Sequence, residues 1–178
     1  MRLNVKKSLL VLVVASTCAM AGNPQAVGDV VGRNLGIKGL GFLGHVGMWD
    51  GSNVLEVNRG GSCIRKKTLD EFKAPARYWG AKYGKSGNYY RAVAVGWYQR
   101  HYSPRYTFSP IWKEGGYVSK RVWNWRKFRF EWKKVKQTAQ FRCDTFVNYL
   151  SLKASGSKFY NNIFVTPQKL YSSLPKSR

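Results

Sequence analysis

The run His45-Val-Gly-Met-Trp49, Asp50-Gly-Ser-Asn53, Val54-Leu-Glu-Val-Asn58 constrains this chain more than any other stretch. Two short apolar segments flank four residues that all favour tight turns, so a β-hairpin is expected. A turn centred on Gly51-Ser52 makes paired residue numbers add to 103, which sets Asn58 opposite His45 and Glu56 opposite Gly47. Paired side chains share one face of the sheet, so His45, Gly47, Glu56 and Asn58 point the same way. Glu56 then stands diagonally from His45, within reach of a long side chain, and Gly47 leaves space where a third group could approach. A slip of one residue would send the whole set to the other face.

The surrounding pattern is that of an α+β domain. Gly28-Asp-Val-Val-Gly-Arg33 reads as a short strand entered from a turn. The Gly-rich stretch 34–44 lacks the Lys-Ser/Thr of a phosphate loop and is expected to form at most a mobile edge of a site. Thr68-Leu-Asp-Glu71 carries a capping-box pattern that starts a short helix. Residues 88–101 suit a helix with Tyr90, Val93 and Trp97 along one face, which Gly96 weakens. The Pro, Ser and Gly content of 102–116 reads as loop. Between 117 and 136, Phe128, Phe130 and Trp132 alternate with Arg129 and Glu131, as in a strand with one buried face. That segment also carries eight Lys and Arg from Lys120 onward. Its plain explanation is an amphipathic strand with a solvated basic face. Cys143, Val147, Leu150 and Ala154 make one stripe of a helix that ends at Gly156.

Charge and the N-terminus bear on location and partners. Arg2, Lys6 and Lys7 precede the apolar run 9–15, and Ala19-Met-Ala21 follows as a small-x-small cleavage site, the order of a secretory signal peptide. The expected layout is a signal peptide over 1–21 and one domain over 22–178, exported to the periplasm or beyond the cell. Thr17 is a poor residue before a lipidated Cys18. The full chain carries 31 Lys and Arg against 8 Asp and Glu, and losing the three basic residues of the leader leaves 28 against 8. Such a surface attracts anionic polymer or an acidic membrane surface by charge, without implying a specific nucleic-acid partner. Two histidines and scattered carboxylates make no ligand cluster, so no metal or organic cofactor is expected.

Cleavage would leave two cysteines, Cys63 and Cys143, and in an oxidising compartment a single disulfide between them is the plain expectation. Cys143 could equally be a core residue at the head of the apolar stripe. A third option is a nucleophile: at a helix N-terminus, beside Arg142, a thiol feels donors and positive charge that favour the thiolate. On that option Cys63 is not its partner, and Cys143 should titrate below the roughly 8.5 of an ordinary thiol. A helix capped earlier, at Thr138, would bury Cys143 one turn deep. His45 and Glu56 taken alone could be a structural histidine beside a surface carboxylate. His101, the only other histidine, suits a helix end.

The order Gly28-Asp-Val-Val-Gly-Arg33, then Gly44-His-Val-Gly-Met-Trp-Asp-Gly-Ser-Asn-Val-Leu-Glu-Val57, then Phe141-Arg-Cys-Asp-Thr-Phe-Val-Asn-Tyr-Leu150 resembles the circularly permuted papain-like cysteine hydrolases. More narrowly it is similar to the NlpC-related, YiiX/YebB-like branch, in which the histidine strand precedes the cysteine. The spaced blocks make up roughly a fifth of the chain after the leader. The resemblance implies a small antiparallel sheet or half-barrel packed against the cysteine-bearing helix. It implies Cys143 as nucleophile, His45 as general base and Glu56 as the orienting residue, with Asn58 the second choice for that role. A thiol amidase or peptidase follows, acting on a peptide or acyl-amide substrate such as peptidoglycan stem peptides. Retinol-acyltransferase-like relatives carry Asn-Cys-Glu-His where this chain has Arg142-Cys-Asp-Thr145, which disfavours lipid acyl hydrolysis or transfer relative to amide hydrolysis. The alternative from another class is a non-catalytic basic protein that grips anionic polymer or a membrane surface through segment 117–136.

Overall fold

The computed structural model describes residues 22–35, 43–84, 86–162 and 165–175. The expected leader, with Cys18, and most of the Gly-rich stretch therefore lie outside the described residues. Among the described residues nine strands and four α-helices follow one another. They are β1 (Val30–Arg33), β2 (His45–Trp49), β3 (Val54–Val57), β4 (Ile64–Lys67), α1 (Leu69–Lys73), β5 (Tyr78–Lys82), α2 (Tyr89–Tyr98), β6 (Arg105–Tyr106), β7 (Gly116–Asn124), β8 (Arg129–Gln137), β9 (Gln140–Phe141), α3 (Cys143–Ser155) and α4 (Pro167–Ser173).

The central sheet is five-stranded, in the order β4-β3-β2-β1-β5. Every neighbouring pair in it is antiparallel. The β2–β3 register is the expected one: Met48 faces Leu55 and Trp49 faces Val54. Asp50 holds the turn by accepting from the backbone N–H groups of Ser52 and Asn53 at 2.9 and 2.6 Å. Alternation sorts the strands' side chains to two faces. Val30, Val46, Met48, Leu55, Val57 and Ile64 join the larger core, in which α3 lies against β2 and β3. Val31, Val54 and Phe72 of α1 build a smaller cluster on the other face. α1 starts as expected, with Thr68 and Glu71 exchanging capping hydrogen bonds.

Helix α2 differs from expectation in the face that it buries. Tyr89, Ala92, Val93 and Gly96 turn inward, and Tyr90 lies exposed. The reason is Gly96, which lets α2 sit directly on α3: a Cβ there would come within 2.4 Å of Leu150 Cδ2 and 3.1 Å of Phe146 Cζ. What looks like a weak point in the helix is its contact surface. α3 runs to Ser155 and ends on Gly156 with φ 71°, the left-handed stop expected of it.

The segment 117–136 also departs from expectation. β7 and β8 pair only with each other, in a register that runs from Gly116 opposite Gln137 to Asn124 opposite Arg129. Phe130 and Trp132 alternate with charge as expected, but they stay 55% and 71% exposed, and no residue between Gly116 and Gln137 is buried.

Candidate functional site

The site is built from the hairpin outward. His45 opens β2 and Glu56 lies on β3, diagonal to it. The His45 Nε2 and Glu56 Oε2 atoms are 2.8 Å apart, with both side chains buried. Gly47 between them is required by packing, since a Cβ would lie 2.5 Å from Val54 Cγ1 and 3.5 Å from Glu56 Cβ. The space expected at Gly47 is thus closed by β3 itself. Asn58 does line the same cavity as His45, but the carboxylate of Glu56, not the Asn58 amide, holds the ring.

Arg65 completes this arrangement, and the sequence reasoning missed it. It stands directly across from Glu56 on β4, and its Nε donates to Glu56 Oε1 at 2.6 Å. A second turn centred on Gly60-Gly61 carries the signal, because pairs about it add to 121, as 56 and 65 do. Burial alone would raise the Glu56 carboxyl. The hydrogen bonds and charges of His45 and Arg65 outweigh it and bring Glu56 down to about 2. Burial lowers the pKa of His45, and the bond to Glu56 offsets this only in part. Burial, with the cations of Arg33 and Arg65 nearby, favours a neutral imidazole at rest, whose Nε2–H donates to a carboxylate that Arg65 already neutralises. Nδ1 is then the nitrogen left unprotonated.

Cys143 is the first residue of α3, with Arg142 as its N-cap, so the helix does not begin at Thr138. The Arg142 backbone N–H donates to Thr145 Oγ1 at 2.8 Å, which closes the first turn. The Arg142 guanidinium forks onto Asp144, Nε to Oδ1 at 2.5 Å and Nη2 to Oδ2 at 2.6 Å. It also donates to the carbonyls of Phe108 and Val165, tying the helix start to two loops that wall the cavity.

The expected low thiol pKa is reversed. Burial pushes the Cys143 thiol up to about 12, and the nearby Asp144 carboxylate adds to the rise. The backbone N–H groups of Val46 and Asp144 and the charge of Arg142 pull the other way without prevailing. In the resting protein Cys143 is a neutral thiol. Cys63 is also a free, buried thiol, raised to about 11 by burial.

Cys143 and His45 meet in one cavity of roughly 500 Å³, whose walls include Leu35, Leu43, Tyr106, Phe108, Val165 and Pro167. They reach it from different directions. α3 packs on the face that carries Val46, whereas His45 and Glu56 project to the face of Phe72, whose ring centroid is 5.8 Å from that of His45. The two converge only at the open end of β2, and no hydrogen bond links the thiol to the imidazole among the described residues. Arg33, paired with His45 across β1 and β2, is a buried cation in the fields of Glu56 and Cys143. His101 lies apart, exposed and packed on Tyr98 at 5.1 Å. Among the described residues no group of three or more His, Cys, Asp and Glu could hold a metal ion. No helix there is long and apolar enough to cross a membrane.

No protein-family model, curated protein or solved structure matches the chain.

Proposed function

We propose that the chain is a cysteine hydrolase of the permuted papain-like kind, with Cys143 as nucleophile, His45 as base and Glu56 as the residue that orients the ring. The observation that supports this most is one shared cavity: a helix-initiating thiol and a histidine held by a fully buried carboxylate both open into it. Because the thiol and imidazole are both neutral at rest, proton transfer accompanies attack. Sulfur bonds to the substrate carbonyl carbon while the thiol proton passes to His45 Nδ1. The hydrogen bond between them closes around bound substrate. Glu56 stabilises the imidazolium that forms, and the positive N-terminal end of α3 stabilises the oxyanion. The imidazolium then protonates the leaving group, and water, deprotonated by the same ring, releases the acyl-enzyme.

The apolar cavity wall favours a second reading of the substrate: an acyl chain joined through an ester or amide, rather than a polar wall peptide. A panel of fluorogenic peptide amides and nitrophenyl esters of increasing chain length tests both. The expected result is turnover that Cys143→Ala abolishes, with rate rising with acyl length if the second reading holds. Turnover that survives Cys143→Ala removes the hydrolase reading. Failure of every member of the panel to acylate Cys143 does the same and leaves the basic binding protein.

A further inference from the structure

We propose that the β7–β8 hairpin is a membrane-docking arm that inserts its apolar tip into an anionic phospholipid surface. A two-stranded ribbon is marginal in water, and stable folds cover the aromatic face of such a strand pair. Here Tyr117, Phe130 and Trp132 on that face stay more than half exposed. Register puts Tyr117, Arg121, Trp123, Phe130, Trp132 and Lys134 on one side of the ribbon. The arm is anchored at its base, where Gln137 Nε2 donates to the Glu114 carbonyl at 2.8 Å and Tyr102 packs edge-on to Tyr117. Nine-residue strands carry the tip about 30 Å from that base.

The tip identifies the partner. Trp125 and Phe128 flank Arg126 and Lys127 in the turn and are 77% and 76% exposed. Phe128 has φ 48°, a left-handed conformation that suits Gly or Asn and is an outlier for a bulky aromatic. Stability does not explain a strained, solvent-facing phenylalanine, whereas a ligand-facing role does. The segment carries eight Lys and Arg against Glu131 alone, and that carboxylate is occupied by Asn124, Lys127 and Arg129. The partner is therefore anionic. The rings do not offer a ladder of open faces for nucleobases. Trp123 meets Trp125 at 83° and Phe130 at 71°, and Arg121 covers Phe130 at 4.9 Å. An apolar wedge ringed by cations instead fits the boundary between headgroups and acyl chains, where tryptophan concentrates.

Sedimentation of the full chain with phosphatidylcholine vesicles, with and without phosphatidylglycerol, tests this. Binding is expected only with phosphatidylglycerol, with a blue shift in tryptophan emission, and should weaken as salt rises. Trp125→Ser with Phe128→Asn should weaken it by about tenfold or more per side chain, since each loses its buried apolar area. Removing each cation of the arm should cost about fivefold. The thermal midpoint should hold, because neither tip residue is buried; Phe128→Gly, which relieves the backbone, keeps the test open if the double variant unfolds. Undiminished binding by these variants overturns the proposal. So does a single-stranded oligonucleotide that binds more tightly than the vesicles and loses its affinity in the same variants, which would assign the arm to nucleic acid.

Discussion

Replacing Glu56 by glutamine tests the site through the proton it controls. The carboxylate accepts from two donors, His45 Nε2 at 2.8 Å and Arg65 Nε at 2.6 Å. A glutamine has one oxygen to give them. Arg65 cannot lose its proton, so the amide oxygen turns to it and the amide N–H₂ faces His45. The ring must then accept at Nε2 and carry its proton on Nδ1, the atom proposed to receive the thiol proton. The fold should survive with a loss of about 1–3 kcal/mol, the worth of a hydrogen bond to a charged group. The rate of Cys143 acylation should fall about 10²- to 10⁴-fold, the scale of a lost general base. Nitrophenyl acetate reports that rate whatever the natural substrate, and imidazole ¹⁵N shifts report the tautomer. Adding Arg65→Met frees the amide oxygen for His45 and should return the rate by on the order of tenfold. Acylation and tautomer both unchanged in Glu56→Gln would refute the reasoning, as would a double variant no better than the single.

Iodoacetamide should alkylate Cys143 at a rate that keeps climbing above pH 9, because burial holds the thiol near 12; a plateau below about 8.5 would contradict this. Peptide mapping without reductant should find Cys63 and Cys143 unbridged. The folded state prefers a neutral His45, so the stability this adds is complete above the ordinary value of 6.5 and is lost as pH falls below it; Glu56 adds a further loss between 4.5 and about 2. Urea midpoints should fall accordingly, and His45→Gln should flatten the first part of the fall. Gly96→Ala should lower the thermal midpoint: about 1 kcal/mol of helix propensity is gained, but overpacking against Leu150 and Phe146 costs about 1–3 kcal/mol.

What was legible in the sequence was whatever a turn could fix. Asp50 and its neighbours set the hairpin register, and with it the diagonal contact of His45 and Glu56. The start of α1 and the end of α3 followed from caps of equal locality. The misses were tertiary. The inward face of α2 depended on how close α3 could come, which Gly96 decides only once both helices are placed. The thiol pKa turned on burial at the head of α3, which outweighs the helix terminus and Arg142. The bare face of β8 could not be foreseen, because alternation marks an apolar face but not what, if anything, lies against it.

The ring, its carboxylate and Arg65 all lie in two successive hairpins, while Cys143 follows His45 by 98 positions (143 − 45). The hairpins close short loops and need no distant partner to set their register, whereas the thiol reaches the cavity only when α3 has docked across the finished sheet. On the proposed mechanism, a chain synthesised from its N-terminus therefore holds its proton acceptor before it holds its nucleophile. On the same proposal, a product truncated ahead of α3 lacks the thiol that the histidine–carboxylate pair would deprotonate, and undocking α3 from a complete chain has the same effect.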